Sequence, residues 1–402
     1  MFDTIVIGGG AAGFFGAINI LEDKPAARVL ILEKASKILQ KVKVSGGGRC
    51  NVTHACFDPQ ELISFYPRGG KELLGPFSKF MTYDTVAWFA ERNVELKTEE
   101  DNRMFPTSDN SQTIIDCFLK EVERKKIKLN TNCGVKSIRK VTNGWSVFLH
   151  NDDVIKTKTI LMAAGSSPAV WEMLASVGHQ IKPPIPSLFT FNVKDKRIDG
   201  LMGISVPSAE VSVMDSTLTE SGPLLITHWG MSGPAILKLS AWGAGILHKQ
   251  NYNFKIRINY IAHVEDMTLE FKKIRDKNPA KKLRNLTPFG LPQRLWLNIV
   301  NYLGIEEKNY GDLSKNETEK LINELSAGVY NVNGKSTFKD EFVTCGGVSL
   351  KEIDMRTMES KLHKGLHFAG EVMNIDAVTG GFNFQAAWTT SFIAAKAIGS
   401  KI

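Results

Sequence analysis

The chain has 402 residues, 43% of them hydrophobic and 23% charged, which is ordinary for a globular enzyme and too long for one ordinary domain. Its net charge of +8 leaves room for an anionic partner (a dinucleotide, a nucleic acid or a membrane surface), with a lysine-rich solvated surface as the simpler reading. No apolar run is long enough for a membrane span, and five scattered cysteines with no C-x-x-C or Cys/His cluster exclude a disulfide framework and a metal site.

The chain opens on a short apolar, β-branched run, Phe2 to Ile7, with no signal or transit peptide in view, so a reducing cytoplasm is the expected location. Gly8, Gly9, Gly10, Ala11, Ala12 and Gly13 follow at once and satisfy G-x-G-x-x-G. Phe14 to Glu22 reads as a helix, Val29 to Leu32 as a second strand, and Glu33 closes that strand. Each part has a physical use in dinucleotide binding. Gly8 permits the tight turn, Gly10 lets a pyrophosphate lie on bare backbone, and Gly13 lets helix and strand pack closely. The helix start offers free N–H groups and partial positive charge. Glu33 can accept from two ribose hydroxyls, and its charge disfavours a 2′-phosphate, hence NADP.

Ser45-Gly46-Gly47-Gly48-Arg49-Cys50-Asn51 comes next, a flexible backbone surface followed by one guanidinium, suited to a phosphate or a flat ring. Residues 60–127 read as mainly helical, with Met104 to Ser108 irregular and a cap at Ser108 or Ser111. Leu129–Ile138, Trp145–His150 and Val154–Met162 read as a small antiparallel meander. The last of these strands runs on into Ala163-Ala164-Gly165, small residues that leave room for a ligand at a strand end.

The prolines Pro168, Pro183, Pro184 and Pro186 mark a boundary. Beyond it short alternating runs predict a β-rich second domain. Leu224 to Thr227 is a strand leading into His228-Trp229-Gly230-Met231-Ser232-Gly233-Pro234 and a helix. Residues from about 264 to 325 read as a small helical insertion. It carries Lys272, Lys273, Arg275, Lys277, Lys281, Lys282 and Arg284, which could meet a polyanion but read more simply as a solvated face, since no aromatics are interleaved.

The end of the chain returns to the opening theme. Leu366 to Phe368 is a strand running into Ala369, Gly370 and Glu371. Asp376 follows, then Thr379-Gly380-Gly381-Phe382-Asn383-Phe384-Gln385 opens an alanine-rich helix. Two glycine turns about 370 residues apart suggest a long ligand held by both ends of the chain. The expected domains are 1–186 with 350–402 for the dinucleotide, 187–262 with 326–349 for the β-rich unit, and 263–325 for the insertion.

Together these motifs resemble the two-dinucleotide-binding-domain flavoproteins, the glutathione-reductase-like FAD superfamily. Gly46 to Asn51, Thr227 to Pro234 and Thr379 to Gln385 are similar to one bacterial family within it, the aminoacetone-oxidase-like or BaiN-like flavoproteins. The resemblance covers essentially the whole chain. It implies FAD and an α/β fold: a Rossmann-like FAD-binding domain interrupted by a β-barrel-like domain carrying the small helical insertion. It places Gly8, Gly10, Ala12 and Gly13 on the pyrophosphate, Glu33 on the ribose, Lys34 near the adenine, and Val135 on the adenine through its backbone. Arg49, Cys50 and Asn51, following Gly48, would lie on the flavin side. Ala164 and Gly165 would pass over the dinucleotide. Asp376 would meet the ribityl or pyrophosphate region, and Gly381, Phe382 and Asn383 the pyrimidine edge.

The expected activity is an FAD-dependent oxidoreductase acting on a small molecule at the flavin face, in a cleft between the domains. NAD(P)H, bound transiently for want of a second dinucleotide fingerprint, or O₂ would be the other redox partner. His228 is the candidate acid or base, against a structural role at a strand end, and Trp229 reads as packing. A redox pair of Cys50 and Cys56 would make a disulfide reductase, but lone structural thiols are the simpler reading. The alternative from another class is a nucleic-acid-associated flavoprotein, such as a tRNA modifier, using the basic insertion; with no recognisable RNA-binding module, a nucleic-acid partner is not the primary expectation. The oligomeric state is open.

Overall fold

A computed structural model of the protein describes residues 1–336 and 343–402; the part of the expected segment 326–349 that falls on 337–342 lies outside the described residues. The chain divides into two compact units, Met1–Ile185 with Lys339–Ile402, and Pro186–Phe338.

The first unit is built on five parallel strands: β1 (Phe2–Ile7), β2 (Val29–Leu32), β3 (Lys128–Asn130), β4 (Val154–Met162) and β5 (Leu366–Phe368). Their order is β5-β4-β1-β2-β3, with Val6 paired to Ile31 on one side and Leu161 on the other. β1 and β2 are apolar runs rather than alternating ones because strands inside such a sheet are covered on both faces. Helix α1 (Ala11–Asp23) follows β1, and helix α2 (Phe382–Gly399) closes the chain. The two helices pack on each other. Ser391 Oγ donates to the Ala12 carbonyl at 2.9 Å, and the Phe15 ring lies 5.2 Å from Trp388 and 4.6 Å from Trp88. At Gly16 a Cβ would fall 2.4 Å from Leu161 Cδ2, so a larger residue there would require the Leu161 side chain to move.

The expected meander is present as Val135–Val141, Gly144–Leu149 and Val154–Met162, antiparallel throughout. Its first strand is not continuous from Leu129. Lys128–Asn130 pairs in parallel with β2, and the chain then bends around Glu33, whose carbonyl accepts from Cys133 N–H at 2.8 Å. A change of partner breaks a run that looks uniform in sequence. The region 60–127, expected to be mainly helical with Met104 to Ser108 irregular, also contains strands. Arg103–Pro106 pairs with Thr53–His54 and Leu96–Thr98 in a three-stranded sheet, and Asn110, not Ser108 or Ser111, caps the helix Ser111–Arg124. Strands of two to four residues are too short to carry a periodic signal.

The second unit is an antiparallel sheet with the order Gly328–Asn333, Asn253–Asn259, Ser205–Val213, Thr219–Thr227, Gly230–Ser232, Thr190–Asn192 and Lys335–Ser336. Its first and last members are consecutive pieces of one segment, joined at Gly334. Helices Met267–Lys277, Gln293–Tyr302 and Lys315–Ala327 bury Phe271, Trp296 and Leu321 in the same core. No helix among the described residues is long and apolar enough to cross a membrane.

His367 sits on β5, completely buried, with Nδ1 3.1 Å from the Thr357 carbonyl. Burial holds its pKa well below the ordinary value, outweighing Glu359 at 3.8 Å, and the buried His179 is lowered for the same reason. The unfolded chain therefore takes up protons below about pH 6.5 that the folded chain refuses, so stability is full above that value and is lost as pH falls. We expect the melting temperature to decline from about pH 6.5 downward, with a shallower decline in His367→Gln. Equal slopes in the two proteins would remove His367 from the explanation.

Candidate functional site

The carboxyl ends of the parallel strands are where an open α/β sheet holds ligands, and the glycine-rich turns of the sequence fold there. Gly8 has φ +117°, and a Cβ on it would lie 2.4 Å from the Ala163 carbonyl oxygen, at the end of β4. A Cβ on Gly13 would lie 1.9 Å from the Gly8 oxygen, which no adjustment of a packed helix and strand absorbs. At Gly10 the opposite holds: no atom lies within 4 Å of the position a Cβ would take. α1 begins at this bare point with no side-chain cap and no acid in its first turn, so the N–H groups of Ala11, Ala12 and Gly13 are those an anion would meet.

Glu33 is fixed beside the same turn. Its Oε2 accepts from Gly9 N–H at 2.7 Å and its Oε1 from Ala35 N–H at 2.8 Å, leaving a lone pair on each oxygen for a hydroxyl. The bend at 132–134 runs along this edge, with Gly134 next to the Lys34 stem and Val135 beginning the following strand. Gly8 to Gly13, Glu33, Lys34 and Val135 therefore form one end of a site.

The other end is made by the C-terminal part of the chain. Ala369 N–H donates to Met162, and a Cβ on Gly370 would lie 3.1 Å from Ala12 Cβ, which puts the end of β5 against the start of α1. Glu371 forms an ion pair with Lys41 at 2.5 Å. α2 starts at Gly381 (φ +93°), again with no side-chain cap and no acid in its first turn. A Cβ there would lie 2.5 Å from the Thr53 carbonyl; the Asn51 amide, oriented to satisfy its neighbours, donates to that carbonyl and accepts from Gly381 N–H at 3.0 Å. Gly47, Gly48 and Gly165 are left-handed and open on their Cβ side. Two uncapped helix starts and two stretches of bare backbone fit an extended ligand with an anionic centre and a flat ring.

Several expected ligand side chains turn out to be held by the protein itself. The Arg49 guanidinium lies 3.9 Å over the Phe105 ring and pairs with Glu99 at 2.5 Å and Asp109 at 3.4 Å. Asp376 is fully buried and receives Arg68 Nε at 2.7 Å, with a second contact to the same guanidinium. Asn383 brackets the Ala377 backbone, accepting at 2.9 Å and donating at 3.1 Å. The Phe382 ring is buried against Phe65 and His54, 4.2 and 4.4 Å between centroids. Cys50 is buried with φ +65°. Burial pushes its thiol up to about 12 and that of Cys56 to about 11, the opposite of what thiol redox chemistry needs. Arg68 was not singled out in sequence; the signal available was that a buried Asp376 requires a cation.

His228 lies in the second unit, exposed in the tight turn between Thr219–Thr227 and Gly230–Ser232. Trp229 is 57% exposed, which corrects the expectation that it packs. The insertion is not a basic face. Residues 263–325 hold eleven Lys and Arg against ten Asp and Glu. Lys273 pairs with Glu270, and Lys282 and Arg284 share Glu307.

A family profile described as HI0933-like protein Rossmann domain matches residues 2–397. The chain is 29% identical over 411 positions to the ribosomal RNA dihydrouridine synthase of Escherichia coli (strain K12), covering 98% of this chain and 97% of that protein. It is 24% identical to the 3-dehydro-bile acid delta(4,6)-reductase of Clostridium scindens, over 98% of each. Among solved structures, the 3-ketosteroid-delta4-(5alpha)-dehydrogenase of Rhodococcus jostii aligns with a TM-score of 0.55 at 11% identity, over 99% of this chain and 96% of that one. A flavocytochrome c3 fumarate reductase aligns with a TM-score of 0.53 at 14% identity, over 99% and 78%. These structures share the fold. The cofactor of this family is FAD, a ligand with an anionic centre and a flat ring.

Gly10 and Gly13 separate the fold from the cofactor. Gly10→Ala should leave the melting temperature of the FAD-free protein unchanged and weaken FAD at least roughly tenfold, about 1.4 kcal/mol. Gly13→Ala should destabilise the FAD-free protein itself, by on the order of 1–3 kcal/mol or more. Thermal melts and a flavin-fluorescence titration read both; equal FAD affinity in Gly10→Ala and the parent would contradict the assignment.

Proposed function

The chain belongs to the HI0933-like family of FAD-binding Rossmann proteins, and from that premise we propose that it is an FAD-dependent reductase that saturates a carbon–carbon double bond conjugated to a carbonyl, in the uracil ring of a ribosomal RNA uridine. One structural observation carries the redox reading: the bare, uncapped start of α2 at Gly381, beside the open glycines Gly47 and Gly48. Such a helix start favours negative charge on the pyrimidine edge of a reduced flavin. The substrate class is supported by two relatives aligned over nearly their full length. Dihydrouridine is uridine with hydrogen added across C5=C6, and a delta(4,6) 3-oxo steroid presents the same conjugated group.

When bound, FAD supplies the two-electron carrier that delivers hydride. The chain's own residues hold and aim it. In this reading Gly8, Gly10, Ala11, Ala12 and Gly13 seat the pyrophosphate, Glu33 takes the ribose hydroxyls, and Lys34 and the Val135 backbone border the adenine. Ala164 and Gly165 pass over the dinucleotide, and Gly370 and Glu371 border its ribityl side. Phe382 and Asn383 offer the pyrimidine edge backbone N–H groups, and Gly380 and Gly381 shape the turn that presents them, the Gly381 N–H being held by Asn51. Gly48 contributes bare backbone, and Arg49, Cys50, Asn51 and Asp376 act by shape, since their side chains are buried or bonded within the protein. His228 donates the proton that completes the addition. NADH or NADPH, bound transiently, is the hydride source. We propose the domain division 1–186 with 350–402, 187–262 with 326–349 as a β-barrel-like unit, and 263–325 as its helical insertion, a division supported by the two compact units and by the pairing that leaves and returns to segment 328–336.

Under anaerobic conditions NAD(P)H should bleach the flavin, and ribosomal RNA lacking dihydrouridine should restore the colour and gain dihydrouridine on nucleoside analysis. His228→Asn should slow the recolouring step by roughly 10²–10⁴-fold. Bleaching by a small amine, with no recolouring by RNA, would overturn the reading in favour of an oxidase.

A further inference from the structure

We propose that the turn carrying Trp229, with Lys194 and Lys196 beside it, is a binding platform for single-stranded RNA, in which the Trp229 indole stacks on a base and the two lysines take neighbouring phosphates. This rests on the reading of the substrate as an RNA uridine and adds to it the residues that grip the RNA.

The backbone of this turn is rigid. The Trp229 carbonyl accepts from Val193 N–H at 2.9 Å, and Trp229 N–H donates to Thr227 Oγ1 at 3.3 Å. The next residue, Gly230, is pressed so closely on the neighbouring strand that a Cβ would lie 2.3 Å from the Phe191 oxygen. From this fixed base the indole projects 57% exposed. A large ring held out by a rigid backbone loses little conformational entropy when it stacks on a ligand.

The surroundings carry the chemistry of a nucleotide chain. Lys194, Lys196, Asp199, Met202, Thr227 and His228 line one depression, with both lysines and Asp199 exposed and Met202 50% exposed. The acid between the lysines, Asp195, is bound to Arg197 by two hydrogen bonds at 2.8 and 2.6 Å. Neither lysine has an ion-pair partner among the described residues. An exposed aromatic beside unpaired cations matches single-stranded nucleic acid, where stacking tolerates any base and the cations follow the backbone.

The test uses the FAD-loaded enzyme and a uridine 12-mer RNA, followed by quenching of tryptophan fluorescence and by filter binding at several salt concentrations, with dihydrouridine formation on ribosomal RNA measured in parallel. Trp229→Ala should weaken the oligomer by roughly 5- to 100-fold, and Trp229→Phe by much less. Lys194→Gln with Lys196→Gln should lower the slope of log affinity against log salt by about 1.4, the value for two phosphates on a single strand. Equal affinity in Trp229→Ala and the parent, or no binding by the parent, overturns the platform. Dihydrouridine formed normally by Trp229→Ala does so too, while leaving the proposed reaction standing; dihydrouridine absent from the parent, with oligomer bound through Trp229, overturns the reaction and not the platform.

Discussion

Peptide N–H groups at the starts of two helices must be left uncovered while the helices themselves stay tightly packed. That requirement organises the first unit. A capped helix start would satisfy its own donors and offer nothing to a pyrophosphate. Here α1 and α2 both begin at glycine with no capping side chain and no acid in the first turn. Close packing sets the remaining choices. Gly13 rests on the Gly8 carbonyl, Gly16 on Leu161, and Gly381 on the Thr53 carbonyl, so each helix is driven against its support while its N-terminal face stays clear. The parallel order β5-β4-β1-β2-β3 then brings the first and last parts of the chain to one edge of one sheet.

A second tier of side chains keeps that bare backbone in place. Arg68 and the buried Asp376, Asn383 on the Ala377 backbone, Phe382 between Phe65 and His54, and Arg49 with Glu99 all bond within the protein rather than reaching outward. Removing one member of the Arg68–Asp376 pair would leave a buried charge unbalanced, which costs on the order of 3–5 kcal/mol. Such residues matter to a cofactor through position, which is why exchange at them should disturb geometry before it disturbs chemistry.

The glycine turns, the acid after β2 and the C-terminal glycine-led helix were legible in sequence because local rules dictate them: a turn that needs positive φ, a helix that needs a start, a strand that needs an apolar run. The three-stranded sheet of Thr53–His54, Leu96–Thr98 and Arg103–Pro106 was not, since strands of two to four residues are too short to show alternation and Thr53–His54 finds its partner some fifty residues away. The fate of Arg49 was illegible for the same reason. A guanidinium after three glycines looks like an anion ligand until Glu99 and Phe105 arrive beside it. Trp229 misled in the other direction: an aromatic in an apolar stretch reads as core, yet the turn holds it outward. The lysine run of the insertion was read as a solvated face, and three of its cations, Lys273, Lys282 and Arg284, pair with Glu270 and Glu307.

The central claim is that one FAD is held by helix starts from both ends of the chain. Hydrogen–deuterium exchange of the apoprotein and the FAD-loaded protein addresses it at the amides concerned. Added FAD should protect Ala11 to Gly13 and Phe382 to Phe384 together, and the backbone at Gly46 to Gly48 with them. Protection confined to the first glycine turn, with the start of α2 exchanging as fast as before, would contradict the account.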